Sequence, residues 1–127
     1  VPAKPWLILL VVMCLCAFLS AWISNPAASV LCVSVVLPIL KDLPEDSRYP
    51  RAMLLGIAFA GNVGGMTTPI ASPQNAIALS TLQDLDPPES ISFLYWMIVS
   101  IPFCIVALIG CFLLVWFIIR PTETEIP

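Results

Sequence analysis

The sequence contains no histidine, which excludes histidine-based triads, most zinc sites and imidazole proton relays. Charge is scarce as well: 10% of the residues are Asp, Glu, Lys or Arg and 60% are hydrophobic, against about 25% charged and 45–50% apolar in an ordinary soluble domain. So few charges cannot clothe a water-facing surface, and a soluble globule is excluded. Lys and Arg number 5 and the net charge is −3, which excludes a basic nucleic-acid face. The 5 cysteines (Cys14, Cys16, Cys32, Cys104 and Cys111) all fall in apolar runs. Their spacings match no zinc or redox motif, so they read as small packing residues. The 127 residues suit about one small domain. The missing initiator Met and the short polar flanks predict an excerpt of a longer chain.

What is present is a series of apolar runs. Trp6 to Ile23 is followed at once by Ser24-Asn25-Pro26, where a signal peptide would carry its small-residue cleavage site; the run therefore does not read as a leader. Ala27 to Leu40 spans only about 21 Å as a helix, short of the ~30 Å hydrocarbon core. Two runs joined by so short a polar turn cannot both cross and leave Ser24 and Asn25 in water. The economical geometry over 6–40 is a re-entrant helical hairpin whose polar tip is buried in protein or lines a cavity.

Lys41 to Arg51 reads as a surface loop. Ala52 to Ala60 is apolar, and Ala76 to Leu82 resumes after an interruption holding Gly61, Gly64, Gly65, Pro69 and Pro73. Glycine and proline at that density cannot propagate a helix, so 52–83 is predicted to be a transmembrane helix broken in the middle. Asp84, Asp86, Pro87, Pro88 and Glu89 form an acidic turn. The run from Ile91 to Ile119 is a single transmembrane helix (91–119), kinked at Pro102 and stopped by Arg120-Pro121. With the hairpin re-entrant, Lys4, Lys41, Arg48, Arg51 and Arg120 share one face, and Asp84, Asp86 and Glu89 lie on the other. The positive-inside rule makes the basic face cytoplasmic.

Both interrupted stretches place a helix start at membrane depth. Asn25 suits an N-cap with Pro26 at the first helical position, and Ser72-Pro73 repeats the pattern. Two such ends facing one cavity form an anion site without a basic side chain. The end of the first helix near Ile23 and the glycine stretch Gly61–Gly65 offer carbonyls to a hard cation such as Na⁺, with Gly64 and Gly65 candidates for φ > 0. Half-helix ends serving anion and cation together are a device of secondary transporters. Ser20 lies one turn before Ser24 and fits the same cation cage. Trp6, Trp22, Tyr95 and Trp96 read as packing or interface anchors, and Met66 as loop filler. No apolar segment holds an acid, base or metal ligand, so an enzyme is not expected.

These motifs carry a resemblance. Ser20-Ala21-Trp22-Ile23-Ser24-Asn25, Gly56-Ile57-Ala58-Phe59-Ala60, Gly64-Gly65-Met66-x-Thr68, Pro73-x-Asn75 and the Trp96…Pro102 helix resemble the N-terminal half of the divalent anion/sodium symporter family. That family comprises dicarboxylate, citrate and sulfate carriers. Pro26 departs from the threonine usual at the tip, and the block GNVGGMTTPIASPQNAIAL is more similar to the low-affinity phosphate transporters that carry an SPX domain upstream. The resemblance implies an all-α polytopic membrane protein and one half of an inverted-repeat transporter that forms a homodimer. It implies Na⁺-coupled transport of inorganic phosphate or another small divalent anion, with no other cofactor. The expected membrane is that of a vacuole or other acidic organelle, or the plasma membrane. Carried over residue by residue, Ser20, Ser24, Asn25 and Gly64 are sodium-side residues, and Asn25, Thr67, Thr68 and Pro69 are anion-side residues. A dicarboxylate, citrate or sulfate symporter is the nearest alternative, and a non-transporting membrane assembly subunit is a third.

Overall fold

A computed structural model describes residues 5–42, 48–87 and 90–119. Lys4, Pro88, Glu89, Arg120-Pro121 and the middle of the polar stretch, residues 43–47, lie outside the described residues. Among those described, all regular structure is helical: α1 Pro5–Ser20, α2 Asn25–Lys41, α3 Tyr49–Gly64, α4 Pro73–Gln83 and α5 Phe93–Ile119.

The helix bounds follow local chemistry. α1 stops at Ser20 rather than near Ile23; Ala21–Ile23 continue as a turn in which the Trp22 and Ile23 N–H groups both reach the Leu19 carbonyl. α3 starts at Tyr49, inside the stretch expected to be loop, because Pro50 suits a first helical turn. The Tyr49 side chain is fully buried. α3 also runs on through Gly61 to Gly64, so the break is shorter than expected and occupies only residues 65–72. At the start of α5 the Ser92 hydroxyl accepts the Tyr95 N–H at 3.1 Å, the N-cap that fixes the entry.

α3 is the central helix, packed on α1, α2 and α5. Its buried positions (Ala52, Met53, Gly56, Ile57, Ala60, Gly61) recur at three- and four-residue spacing, which aligns them on one face. α2 contributes a single stripe of Ala28, Cys32, Val36 and Leu40, and α1 contributes Leu9, Met13 and Cys16 to the same core. α4 packs on no other described helix; Asn75 is its one buried residue.

α5 is the one described helix long and apolar enough to cross a membrane by length and composition. Its 27 residues span about 40 Å, against roughly 24–26 Å for the 16 residues of α1 and the 17 of α2. It buries only Cys104 and Val115, leaving Phe103, Val106 and Ile118 exposed. An apolar face of that extent needs lipid or further protein against it.

Candidate functional site

The end of α1, the start of α2 and the end of α3 meet at one point. Ser24, not Asn25, is the N-cap of α2: its backbone is extended (φ −66°, ψ 150°) and its hydroxyl accepts the Ala27 N–H at 3.4 Å. Asn25 becomes the first helical residue, one position later than the sequence pattern suggested, and its amide turns back toward α1. The Ser20 hydroxyl, fully buried, lies within hydrogen-bonding distance of Asn25 Oδ1 and of the Gly61 carbonyl, the latter at 2.6 Å. One hydroxyl proton serves one of these oxygens at a time. The Gly61 carbonyl also accepts the Gly65 N–H at 3.1 Å, so it keeps a donor when Ser20 turns its proton to Asn25, and with the amide turned Asn25 Nδ2 donates to Ser20 instead. The cluster gathers three oxygens, carried by three helices, in an apolar setting; oxygen is the ligand type that hard cations take.

Glycine is required here by proximity, not by dihedral angle. No described glycine has a positive φ, and Gly65 sits at φ −65°, so the φ > 0 expected at Gly64 and Gly65 is corrected. A Cβ on Gly64 would strike the Ala17 backbone, meeting its carbonyl oxygen and lying 2.7 Å from its Cα. A Cβ on Gly65 would enter the Asn25 carboxamide, 2.9 Å from Cγ. The end of α3 can approach α1 and the hairpin tip this closely only without side chains.

Segment 65–72 keeps only short turn bonds after Gly65 (Met66 N–H to Val63, Thr67 N–H to Gly64 and Ala71 N–H to Thr68), and side chains take up carbonyls along it. In a helix the Gly65 carbonyl would accept from residue 69, but Pro69 has no N–H. Asn75, at 9% exposure, supplies the donor: its Nδ2 reaches the Gly65 carbonyl at 2.9 Å and the Thr68 carbonyl at 2.8 Å. The Trp96 indole N–H of α5 donates to the Met66 carbonyl at 3.0 Å. In a bilayer each such carbonyl left bare would cost several kcal/mol. Trp22 stacks on Phe93 with centroids 6.4 Å apart, tying the turn after α1 to the start of α5.

The residues assigned to the anion side are not brought to one place. Pro69 lines an open depression of about 350 Å³ together with Ser24, Ser72 and Pro73, so the starts of α2 and α4 share that depression. Thr67 and Thr68 line a separate apolar cavity of about 250 Å³ against Phe18, Met97 and Cys104. Both threonine hydroxyls donate to backbone carbonyls, Thr67 to Gly64 at 2.7 Å and the buried Thr68 to Ala21. Asn25 belongs to the oxygen cluster instead. On the cation side Ser20 and Asn25 meet, Ser24 caps α2 in an exposed position, and the Gly64 carbonyl is occupied by Thr67. The carbonyl that faces Ser20 is that of Gly61. Asn75 and Trp96 had no assigned contact; the signal for Asn75 was a carboxamide, next to that of Gln74, in the first turn after a helix-starting proline that follows Pro69. For Trp96 no signal beyond its ring N–H existed.

Comparison with known proteins places these features in a family. The model of the family described as citrate transporter matches residues 1–126. An uncharacterized transporter of Schizosaccharomyces pombe is 42% identical over 91% of this chain and 12% of its own length. A low-affinity phosphate transporter of Saccharomyces cerevisiae is 43% identical over 94% of the chain and 13% of its own length. A sodium-dependent dicarboxylate transporter of Staphylococcus saprophyticus is 37% identical over 89% of the chain and 23% of its own length. The chain thus spans between about an eighth and a quarter of the length of these relatives, which are transporters and not enzymes.

Proposed function

We propose that this chain, which belongs to the citrate transporter family, forms part of a secondary transporter that moves inorganic phosphate across a membrane by alternating access, coupled to Na⁺. Na⁺ would sit among Ser20 Oγ, Asn25 Oδ1 and the Gly61 carbonyl, with Ser24 and Gly64 beside it. The anion would lie in the depression between the starts of α2 and α4, where Ser24, Pro69, Ser72 and Pro73 converge. There the positive ends of two helix dipoles stand in for a basic side chain. Bound Na⁺ offsets anion charge that no nearby Lys or Arg neutralises. The observation that carries this reading is the convergence of Ser20 Oγ, Asn25 Oδ1 and the Gly61 carbonyl at the meeting point of three helices.

In this reading α1 and α2 are a re-entrant hairpin, α3 and α4 the two halves of a broken crossing helix, and α5 the return. Lys41, Arg48 and Arg51 then face the cytoplasm and Asp84 and Asp86 the opposite side. The remaining repeat of the same transporter closes the site, and two copies form a homodimer. Phosphate is favoured over a dicarboxylate by the 43% identity to a phosphate transporter and by Pro26, which removes a hydroxyl from the tip. The dicarboxylate alternative draws on the bacterial relative. The test is uptake of labelled phosphate into vesicles holding the full-length protein, with succinate and sulfate as competitors and with Na⁺ replaced by choline. Phosphate uptake that needs Na⁺ and resists both competitors is expected; succinate uptake that phosphate does not inhibit would move the assignment to the dicarboxylate class.

A further inference from the structure

Besides one internal turn bond, from the Ala71 N–H to the Thr68 carbonyl at 3.3 Å, the carbonyls of segment 65–72 take donors from outside it. Pro69 deprives the Gly65 carbonyl of its helical N–H, and Asn75 from α4 replaces it while also binding the Thr68 carbonyl. Met66 lies between these two anchor points, and its carbonyl is taken by the indole N–H of Trp96 from α5. Two side chains on two helices thus fix three carbonyls across four consecutive residues. The clamped stretch begins at Gly65, whose Cα faces the Asn25 carboxamide so closely that a Cβ would lie 2.9 Å from its Cγ. Gly65 also bonds through its N–H to the Gly61 carbonyl at 3.1 Å, the same carbonyl that receives Ser20. A shift of the segment would therefore reach two of the oxygens in the cluster: Asn25 Oδ1 by contact and Gly61 O by hydrogen bond. No described helix packs on α4, and its buried residue Asn75 ties it to the break.

We propose that Asn75 and Trp96 are positioning residues: together they clamp the unwound segment 65–72 and so set the geometry, and hence the affinity, of the oxygen cluster around Ser20 and Asn25. The clamp makes α5 part of the coupling device, because the indole of Trp96 joins the membrane-crossing helix to the break. Its effect on transport rests on the sodium-coupled reading above; the clamp itself does not.

Two measurements on the full-length protein separate these. Trp96→Phe keeps an aromatic ring and removes the donor; Asn75→Leu keeps the size and removes both donors. Hydrogen–deuterium exchange of residues 66–72 reads the clamp without any substrate, and the Na⁺ dependence of labelled phosphate uptake reads its consequence. In Trp96→Phe, exchange of 66–72 should rise at least fivefold with α1 and α2 unchanged. Half-saturating Na⁺ should rise severalfold, while maximal uptake at saturating Na⁺ stays within about twofold of wild type. A merely structural role would lower the amount of protein and maximal uptake together and leave half-saturating Na⁺ where it was. Trp96→Phe carries the test if Asn75→Leu fails to reach the membrane. Unchanged exchange in Trp96→Phe overturns the clamp. Faster exchange with unchanged half-saturating Na⁺ overturns its role in affinity. Faster exchange in a protein whose wild-type uptake ignores Na⁺ supports the clamp and overturns the sodium reading alone.

Discussion

Ser20 and Asn25 face each other across the turn that joins α1 to α2, the serine hydroxyl oxygen within hydrogen-bonding distance of both the carboxamide oxygen and the Gly61 carbonyl. Five residues apart in sequence, they are brought together because Ser24 takes the capping role and frees the Asn25 side chain. The geometry joins α1, α2 and α3 through polar atoms in an otherwise apolar bundle.

Ser20→Ala removes the hydroxyl that lies between the two oxygens. Losing a buried hydrogen-bonding partner costs about 1–3 kcal/mol, so half-saturating Na⁺ in phosphate uptake should rise roughly 5- to 150-fold. Ser20→Thr, which keeps the hydroxyl, should recover part of it. A sodium titration of both variants at matched protein levels checks this; superimposable curves for Ala and wild type would remove Ser20 from the cation site.

Gly64→Ala and Gly110→Ala form a matched pair. The new methyl at Gly64 meets the Ala17 backbone, whereas at Gly110 nothing lies within 4 Å. Backbone cannot yield as a side-chain tip can, so Gly64→Ala should destabilise by about 1–3 kcal/mol. Gly110→Ala, inside α5, should gain roughly 0.5–1 kcal/mol from helix propensity. Thermal unfolding in detergent should show the first transition lowered and the second unchanged or raised. Equal shifts would mean that α3 does not approach α1 this closely.

How much of this was legible beforehand depends on the kind of signal. The apolar runs, the polar tip and the Gly/Pro interruption were visible because each is a local property of consecutive residues. The ends of the elements were less so. Gly61 and Gly64 read as helix breakers in isolation, yet both lie within α3, where packing against Ser29 and Ala17 needs the missing Cβ atoms. Tertiary contact overrode local propensity there. Tyr49 sat in a charged stretch and carried no sign that it would be buried. Asn75 and Trp96 bind carbonyls 7 to 30 residues away, a relation that no spacing rule encodes.

Thr68→Val tests whether that hydroxyl serves the protein or the substrate. It is 1% exposed and donates to the Ala21 carbonyl, so the isosteric valine leaves a buried carbonyl unpaired at a cost of about 1–3 kcal/mol. Stability should fall in Thr68→Val and hold in Thr68→Ser, with the half-saturating phosphate concentration unchanged in whatever protein survives. A rise in that concentration without loss of stability would put Thr68 on the anion after all.

Cysteine accessibility decides the topology. With α3 and α4 as halves of one crossing helix, cysteines at Arg48 and Arg51 should react with a membrane-impermeant thiol reagent from the cytoplasm, and a cysteine at Asp86 only from the opposite side. All three positions are exposed or lie at helix ends away from the core, so reactivity is limited by sidedness and not by burial. Labelling of all three from one side would make the break a turn that returns to the surface it left.

Asn25→Asp separates the cation role of the tip from an anion role. The substitution preserves shape and replaces the carboxamide with a carboxylate in a part-buried position beside the Ser20 hydroxyl and the Gly61 carbonyl. A full negative charge there strengthens attraction for Na⁺ and repels a phosphate bound at the neighbouring helix starts, since charges interact strongly where little water screens them. The two ligands should therefore respond in opposite directions. Half-saturating Na⁺ should fall, and the phosphate concentration giving half-maximal uptake should rise by tenfold or more. Binding affinities of two coupled ligands normally move together, so a divergence marks a direct electrostatic effect on each rather than a general distortion of the site. Parallel weakening of both would instead show that the carboxylate disrupts the hairpin tip, and the assignment of Na⁺ to the Asn25 oxygen would then rest on Ser20 alone.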